Sequence, residues 1–141
     1  MSVDNRIIAT SEAKAVLANP DHEPRTPLGS LGDVRRWLAQ RVLNMTPDGA
    51  HMCYQIGTGQ GGGPVYLHTL EGAGRDDIYR DNYVARDDHA VTQIGFYMYH
   101  DFDFTVIGDC AARFGGTIFD HQSSVLLSPE EFLSRLRDNG T

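Results

Sequence analysis

Cysteine is scarce and long apolar runs are absent, and each absence excludes a class of protein. The 141 residues include two cysteines, Cys53 and Cys110, too few for a disulfide framework and without the C-x-x-C spacing of zinc sites. No run reaches the roughly 18 apolar residues of a transmembrane helix. The N-terminus lacks a basic region followed by an apolar stretch, so we predict no secretory signal and a cytoplasmic protein with reduced thiols.

Motifs of nucleophilic and phosphate chemistry are also missing. The sequence contains no G-x-S-x-G, and Asp109 precedes Cys110, where its carboxylate would raise the pKa of the thiol rather than activate it. The stretch GTGQGGGP at 57–64 is rich in glycine, but it contains no Lys and leads into a strand pattern instead of a helix. We interpret it as a hairpin loop, either a plain connection or one that closes over a ligand or partner.

Two helices are predicted in the N-terminal third. Residues 10–18 form a short helix that Asn19-Pro20 ends. Ser30 with Asp33 resembles a capping box, and it begins a longer helix. The apolar stripe of this helix consists of Leu31, Val34, Leu38, Val42 and Met45, with Trp37 beside it.

The end of the chain predicts a third helix. Ser128 is the expected N-cap, Pro129 occupies the first helical position, and Glu131 completes a capping box. Leu127 before the cap can pack on Phe132 as a hydrophobic staple.

From residue 50 onward the apolar residues recur every second position, which indicates strands. The patterns AHMCYQI and VYLHTL flank the glycine stretch, and further strands are expected at 114–119 and 125–127. Residues 91–107 form the longest pattern, either one bent strand or a hairpin that turns near Asp101-Phe102-Asp103. We therefore predict a single α+β domain, residues 1–141. Its antiparallel sheet has about five strands, with the two N-terminal helices and the C-terminal helix packed mainly on one face.

Acidic residues are concentrated in the second part of the chain. Residues 1–50 carry six acids and six bases, whereas residues 51–141 carry thirteen acids and six bases and thus the whole net charge of −7. Nine of these acids lie between Glu71 and Asp109. Such a strip disfavours direct nucleic-acid binding and suits a basic protein surface or a cation, although a plain solvated surface has the same composition.

The predicted partner-binding surface combines these acids with tyrosines. Tyr97 and Tyr99 fall on the polar side of the longest strand pattern, with Gln93 and Tyr66 nearby if the sheet order permits. Tyrosine offers a large contact area at a low entropy cost, although ordinary cross-strand pairing explains these residues as well. The residues assigned to this surface are Asp76, Asp77, Asp87, Asp88, Tyr97, Tyr99, Asp101 and Asp103.

A pocket between the sheet and the helices is the alternative site. Its candidate residues are Trp37, Tyr54 and His100, of which His100 could act as a general base if it is buried beside a carboxylate. His51, Cys53 and His68 could together bind zinc if the strand register brings them together, but their spacing matches no known ligand pattern. Buried or half-buried structural roles explain the same residues.

Two functional hypotheses follow from these patterns. The first is a small acidic interaction module of the inhibitor, immunity-protein or accessory-factor type, without enzymatic activity or cofactor, that binds a basic protein surface and neither nucleic acid nor membrane. The alternative is a protein that binds a small molecule or a metal, with a possible enzymatic role for His100 or for the group of His51, Cys53 and His68. Either form could be a homodimer in which the longest strand pairs with its copy.

Overall fold

The structure is a computed structural model that describes residues 2–41, 44–47, 53–57, 63–71, 86–99 and 102–139. Over these ranges the protein is α+β, with eight strands in one antiparallel sheet and four helices. The strands are β1 (Ser2–Ala9), β2 (Gly29–Ser30), β3 (Asn44–Pro47), β4 (Cys53–Gly57), β5 (Gly63–Thr69), β6 (Ala90–Tyr99), β7 (Gly116–Asp120) and β8 (Val125–Leu127). The helices are α1 (Ala13–Ala18), α2 (Leu31–Arg41), α3 (Thr105–Phe114) and α4 (Pro129–Asn139).

The N-terminal residues form the strand around which the sheet is built. The strand order is β3-β4-β5-β6-β1-β7-β8, with β2 paired to the start of β6. Ile7 of β1 lies opposite Ile94 of β6 on one side and opposite Ile118 of β7 on the other. The sequence pattern did not predict this strand. Both Ile7 and Ile8 are buried because helices cover the two faces of the sheet, so β1 lacks the alternation of a half-exposed strand.

The helices lie on both faces, which corrects the prediction that they pack mainly on one. Helices α2, α3 and α4 cover the main core. Helix α1 lies on the opposite face, where Ala13 and Val16 pack with Ile8 and Phe119. The opposite face therefore has its own small core, and a polar surface remains on it beside α1.

The prediction of a strand over residues 91–107 is wrong beyond Tyr99. Strand β6 ends there, and Thr105 begins α3. Asp103 caps this helix, because its Oδ1 accepts hydrogen bonds from the backbone N and the Oγ1 of Thr105. Gly115 is the C-cap of the helix, with a left-handed φ of 68°.

Strand β6 also offers no free edge to a second copy of the chain. It pairs with β5 on one side and with β1 and β2 on the other. The proposed dimer contact through this strand is therefore wrong. The outermost strands among the described residues are β3 and β8.

Several local predictions are confirmed. Strands β4 and β5 form the predicted hairpin, with Cys53 opposite Tyr66. The Ser30 Oγ accepts a hydrogen bond from Asp33 N at the start of α2, although this helix ends at Arg41 and does not continue to Met45, which lies in β3. Ser128 and Glu131 exchange the two hydrogen bonds of a capping box at the start of α4.

Gly108 allows α3 and α4 to pack closely. A Cβ at this position would lie 2.6 Å from Cγ and Cδ2 of Leu133, and 3.2 Å from Cδ1 of Phe132. We expect Gly108→Ala to lower the free energy of unfolding by about 1–2 kcal/mol, since the steric overlap outweighs the gain of about 1 kcal/mol of alanine over glycine in a helix. Urea denaturation measures this change.

A double-mutant cycle with Leu133→Ala tests the cause. In that background Gly108→Ala should be neutral or stabilising by up to about 1 kcal/mol, because the obstructing side chain is gone. Ala112→Gly, at an exposed position of the same helix, measures how much alanine and glycine differ in helix propensity without the steric overlap. An equal cost of Gly108→Ala in both backgrounds would show that Leu133 is not the obstacle.

Candidate functional site

A cavity of about 300 Å³ opens between the core face of the sheet and helix α4. This volume lies at the lower end of the range for small-molecule sites, about 300–1,000 Å³. Strands β1, β7 and β8 form one wall, and α4 with the segment before α3 forms the other. The lining residues are Asn5, Phe104, Asp120, Leu127, Phe132, Arg135 and Leu136.

The register of the sheet and the period of α4 bring these residues together. Asn5 and Asp120 are direct cross-strand partners of β1 and β7, so they share the core face of the sheet. On α4, Phe132, Arg135 and Leu136 recur at spacings of three and four, which places them on one side of the helix. The cavity therefore has apolar walls with three polar residues.

Asn5 is the unusual member of this lining. Its side chain is 0% exposed, and neither its Nδ2 nor its Oδ1 has a hydrogen-bond partner among the described residues. A buried polar group without a partner costs about 1–3 kcal/mol of stability. Asn5 thus lines the cavity with an amide whose nitrogen and oxygen no group in the described part of the chain satisfies.

The two charged residues that line the cavity differ in how their side chains are held and in their exposure to solvent. Asp120 is held by its own turn, since its Oδ1 accepts from Gln122 N at 3.0 Å and its Oδ2 accepts from Ser123 Oγ at 2.9 Å. Arg135 is exposed. Because Asn5 is fully buried and Arg135 faces solvent, Asn5 lies at the inner end of the cavity and Arg135 at its mouth.

A second polar cluster lies on the opposite face of β1, next to α1. Arg6 is 7% exposed, and it donates from Nη1 to Gln93 Oε1 at 3.2 Å and from Nη2 to the backbone oxygen of Pro20 at 3.1 Å. Its guanidinium lies 5.3 Å from the ring centroid of Phe119, a cation–π contact. Burial lowers the pKa of Arg6, but a guanidinium stays protonated at neutral pH.

Asp4, Tyr97 and His121 lie near Arg6, and the pKa of each of these side chains differs from its ordinary value. Burial raises the pKa of Asp4 and of Tyr97, and burial lowers the pKa of His121. The Oδ1 of Asp4 and the Nε2 of His121 are buried without a hydrogen-bond partner in the described part of the chain. Neither Asp4 nor His121 lines the cavity that contains Asn5.

The described acids of the predicted partner surface have local contacts. Asp87 pairs with Arg35 and Asp88 pairs with Arg86, in both cases at 3.3 Å. Asp103 caps α3, as described above. Asp87 and Asp88 nevertheless remain 74% and 71% exposed, so these weak surface pairs leave both carboxylates accessible.

The sheet order brings Tyr66 next to Tyr97, which the sequence analysis left conditional on that order. Tyr97 packs edge-on against Tyr66, with ring centroids 5.3 Å apart, and both side chains are half-buried. Tyr99 occupies the strand position opposite Ser2, two residues after Tyr97.

The other candidate residues do not meet in one described site. Trp37 is buried in the main core, edge-on to Phe114, and is not among the residues that line the cavity. Tyr54 and Cys53 lie in β4, and His68 lies in β5, where burial lowers its pKa. No group of three or more His, Cys, Asp or Glu in the described ranges could hold a metal ion. The candidates that lie outside the described residues are His51, Asp76, Asp77, His100 and Asp101.

Cys110 is a structural thiol. It is free and fully buried in α3. Burial raises its pKa, and the charge of Asp109 raises it further. The direction predicted from Asp109 is confirmed, with burial as the larger cause, and a thiol of this kind is not a nucleophile.

Comparisons with known proteins assign no family. The chain matches no protein-family model, and no curated protein or solved structure matches it significantly. Within the described ranges, no helix combines the length and the apolar character needed to cross a membrane.

The raised pKa of Asp4 predicts a specific pH dependence. Because the folded-state pKa lies above its ordinary value of 3.8, the contribution of Asp4 to stability is fully present below that value and is lost as the pH rises through the folded-state pKa. Asp4→Asn removes this loss. We expect the stability of the variant, relative to the unchanged protein, to increase from about pH 3 to about pH 7.

Urea denaturation across this pH range measures the difference. Asp88→Asn is the matched control, because it neutralises an exposed carboxylate paired with Arg86 and should not change with pH in the same way. A constant offset between Asp4→Asn and the unchanged protein at all pH values would contradict the desolvation of Asp4.

Proposed function

We propose that this protein binds a small molecule in the cavity between β1, β7, β8 and α4. The observation that carries the proposal is the fully buried Asn5, which lines a cavity of about 300 Å³ and whose amide nitrogen and oxygen both lack a partner among the described residues. A ligand in this cavity would satisfy both atoms and cover the apolar walls. The proposal develops the hypothesis of a pocket between sheet and helices, with a different set of residues.

A structural role explains Asn5 poorly. In the centre of a sheet, an apolar residue of similar size would avoid the cost of an unpartnered amide and would fill more of the space. Ile7, two residues further on the same face of β1, is an apolar residue of the kind expected at such a core position. Buried polar groups that weaken a fold are typical of functional sites.

Each part of the lining has a defined role in this proposal. Phe104, Phe132 and Leu136 supply apolar contact for the body of the ligand, and Asn5 fixes its orientation through hydrogen bonds. Arg135 at the mouth attracts negative charge, which the net charge of −7 otherwise repels from the protein.

Filling the cavity tests this function. We expect toluene and phenylacetamide to cause saturable shifts of the Leu127 methyl signals in ¹H–¹³C NMR spectra of the unchanged protein. Leu136→Trp should weaken both interactions at least about tenfold, since the larger side chain occupies the space of the ligand. Arg137→Trp adds the same side chain to the exposed side of α4 and should leave binding unchanged. Absence of binding by both probes, or equal binding by Leu136→Trp, would refute the proposal.

Recognition of a basic protein surface is a second proposal. The half-buried pair of Tyr66 and Tyr97, beside the charged groups of Asp4 and Arg6, favours it, because tyrosines on a sheet face are suited to protein contacts.

Native mass spectrometry of the protein isolated from its own source separates the two proposals. A mass increase of a few hundred daltons, lost in Leu136→Trp, is expected for a cavity ligand. A protein captured at fixed stoichiometry by Leu136→Trp as well, and released by the variant Tyr66→Ala/Tyr97→Ala, would instead support the tyrosine surface.

A further inference from the structure

The hydrogen-bonding groups of the cavity define the class of ligand more closely, on the premise that the cavity binds a small molecule. We infer that its ligand presents a neutral amide edge, with an N–H and a C=O side by side as in a lactam or a primary carboxamide, to the side chain of Asn5. The geometry of an amide side chain is the reason. One edge of the planar Asn5 amide presents an N–H donor beside the C=O acceptor, and an amide edge of the ligand pairs with both at once.

Depth in the cavity fixes which end of the ligand carries this edge. Asn5 is 0% exposed, whereas Arg135 is exposed, so the amide edge lies at the inner end and the apolar body extends outward between Phe104 and Leu136. A negative group, where the ligand has one, lies at the mouth near Arg135. A ligand inserted the other way would bury its charge and leave the amide of Asn5 unpaired.

Charge excludes two other classes of inner group. Asp120 lies directly across from Asn5 in the sheet, so a carboxylate at the inner end would meet a second carboxylate. A cationic head would find Asp120 already accepting two hydrogen bonds from its own turn, and it could satisfy only the oxygen of Asn5. A purely apolar ligand would leave both amide atoms unpaired.

Three bicyclic probes of nearly equal shape test this class. Oxindole carries a lactam edge, 2-coumaranone replaces its N–H by oxygen, and indane has no polar group. We expect oxindole to bind the unchanged protein at least about tenfold more tightly than 2-coumaranone, as measured by titration of the Leu127 methyl signals. This ratio corresponds to about 1.4 kcal/mol, within the range for one hydrogen bond in a buried site.

Asn5→Leu shows whether Asn5 is the source of the preference. In this variant the ratio between oxindole and 2-coumaranone should fall to about one, and indane should bind at least as tightly as before. Asn5→Ser provides a smaller polar residue as a second variant, with an intermediate ratio expected. The comparison of the three probes on the unchanged protein does not depend on either variant. It tests the amide class of ligand even if both variants fail to fold.

The stability of Asn5→Leu provides an independent readout. Removal of an unpartnered amide from the core should raise the Tm of the ligand-free protein, while oxindole should raise the Tm of the unchanged protein more than that of the variant. A lower Tm for Asn5→Leu would show that the amide has structural partners and would overturn the inference.

The outcomes distinguish this inference from the proposed function. If indane binds and oxindole has no advantage over 2-coumaranone, the cavity binds ligands but the amide class is wrong. If none of the three probes binds, the proposed function itself fails. An oxindole preference that persists in Asn5→Leu would assign the recognition to another residue and overturn the role given to Asn5.

Discussion

Desolvation of the central strand is the constraint on which this structure depends. Strand β1 pairs on both edges and is covered by helices on both faces, yet its middle consists of Asp4, Asn5 and Arg6. Asn5 and Arg6 are buried at the centre of the sheet and Asp4 is partly buried, so each needs a partner or reduces stability. Arg6 obtains partners in Gln93 and Pro20, whereas Asn5 has none among the described residues.

Because side chains alternate along β1, these polar residues lie on two different faces of the sheet. Asp4 and Arg6 lie on the face that carries α1, and Asn5 lies between them on the main core face. Strand β7 and its turn repeat the arrangement, because Asp120 faces the cavity with Asn5 while His121 approaches Asp4. A charged surface and a cavity with apolar walls and three polar residues are thus built from adjacent residues, with only the sheet between them.

The sequence predicted those elements whose signals are local. The helix that Ser128 begins, the hairpin of β4 and β5 and the edge strand β8 follow from capping, alternation and turn residues. The missed elements have signals that depend on their surroundings. Strand β1 is buried on both faces and shows no alternation. Helix α3 follows a strand so closely that Phe104, just before the helix, and Val106, in its first turn, continue the period of two.

The candidate site was less predictable than the fold for the same reason. Asn5 has no motif around it, and its significance arises only from its pairing with Asp120, more than a hundred positions away in the chain. The prediction of Tyr66 beside Tyr97 succeeded because both lie in strands with clear alternation, so that only the sheet order had to be assumed. The acidic strip was visible in composition, but composition does not report the ion pairs of Asp87 and Asp88.

The balance of stability and function connects these observations. If the middle of β1 consisted of isoleucine and valine, the strand would be buried without the cost of removing polar groups from water. The neighbouring Ile7 and Ile8 are apolar and buried in this way. A domain selected for stability alone would have little reason to keep an amide at Asn5, because its removal also removes an unsatisfied donor and acceptor. A ligand that pairs with this amide reverses the sign of its contribution, so the residue that weakens the free protein becomes the one that selects what it binds.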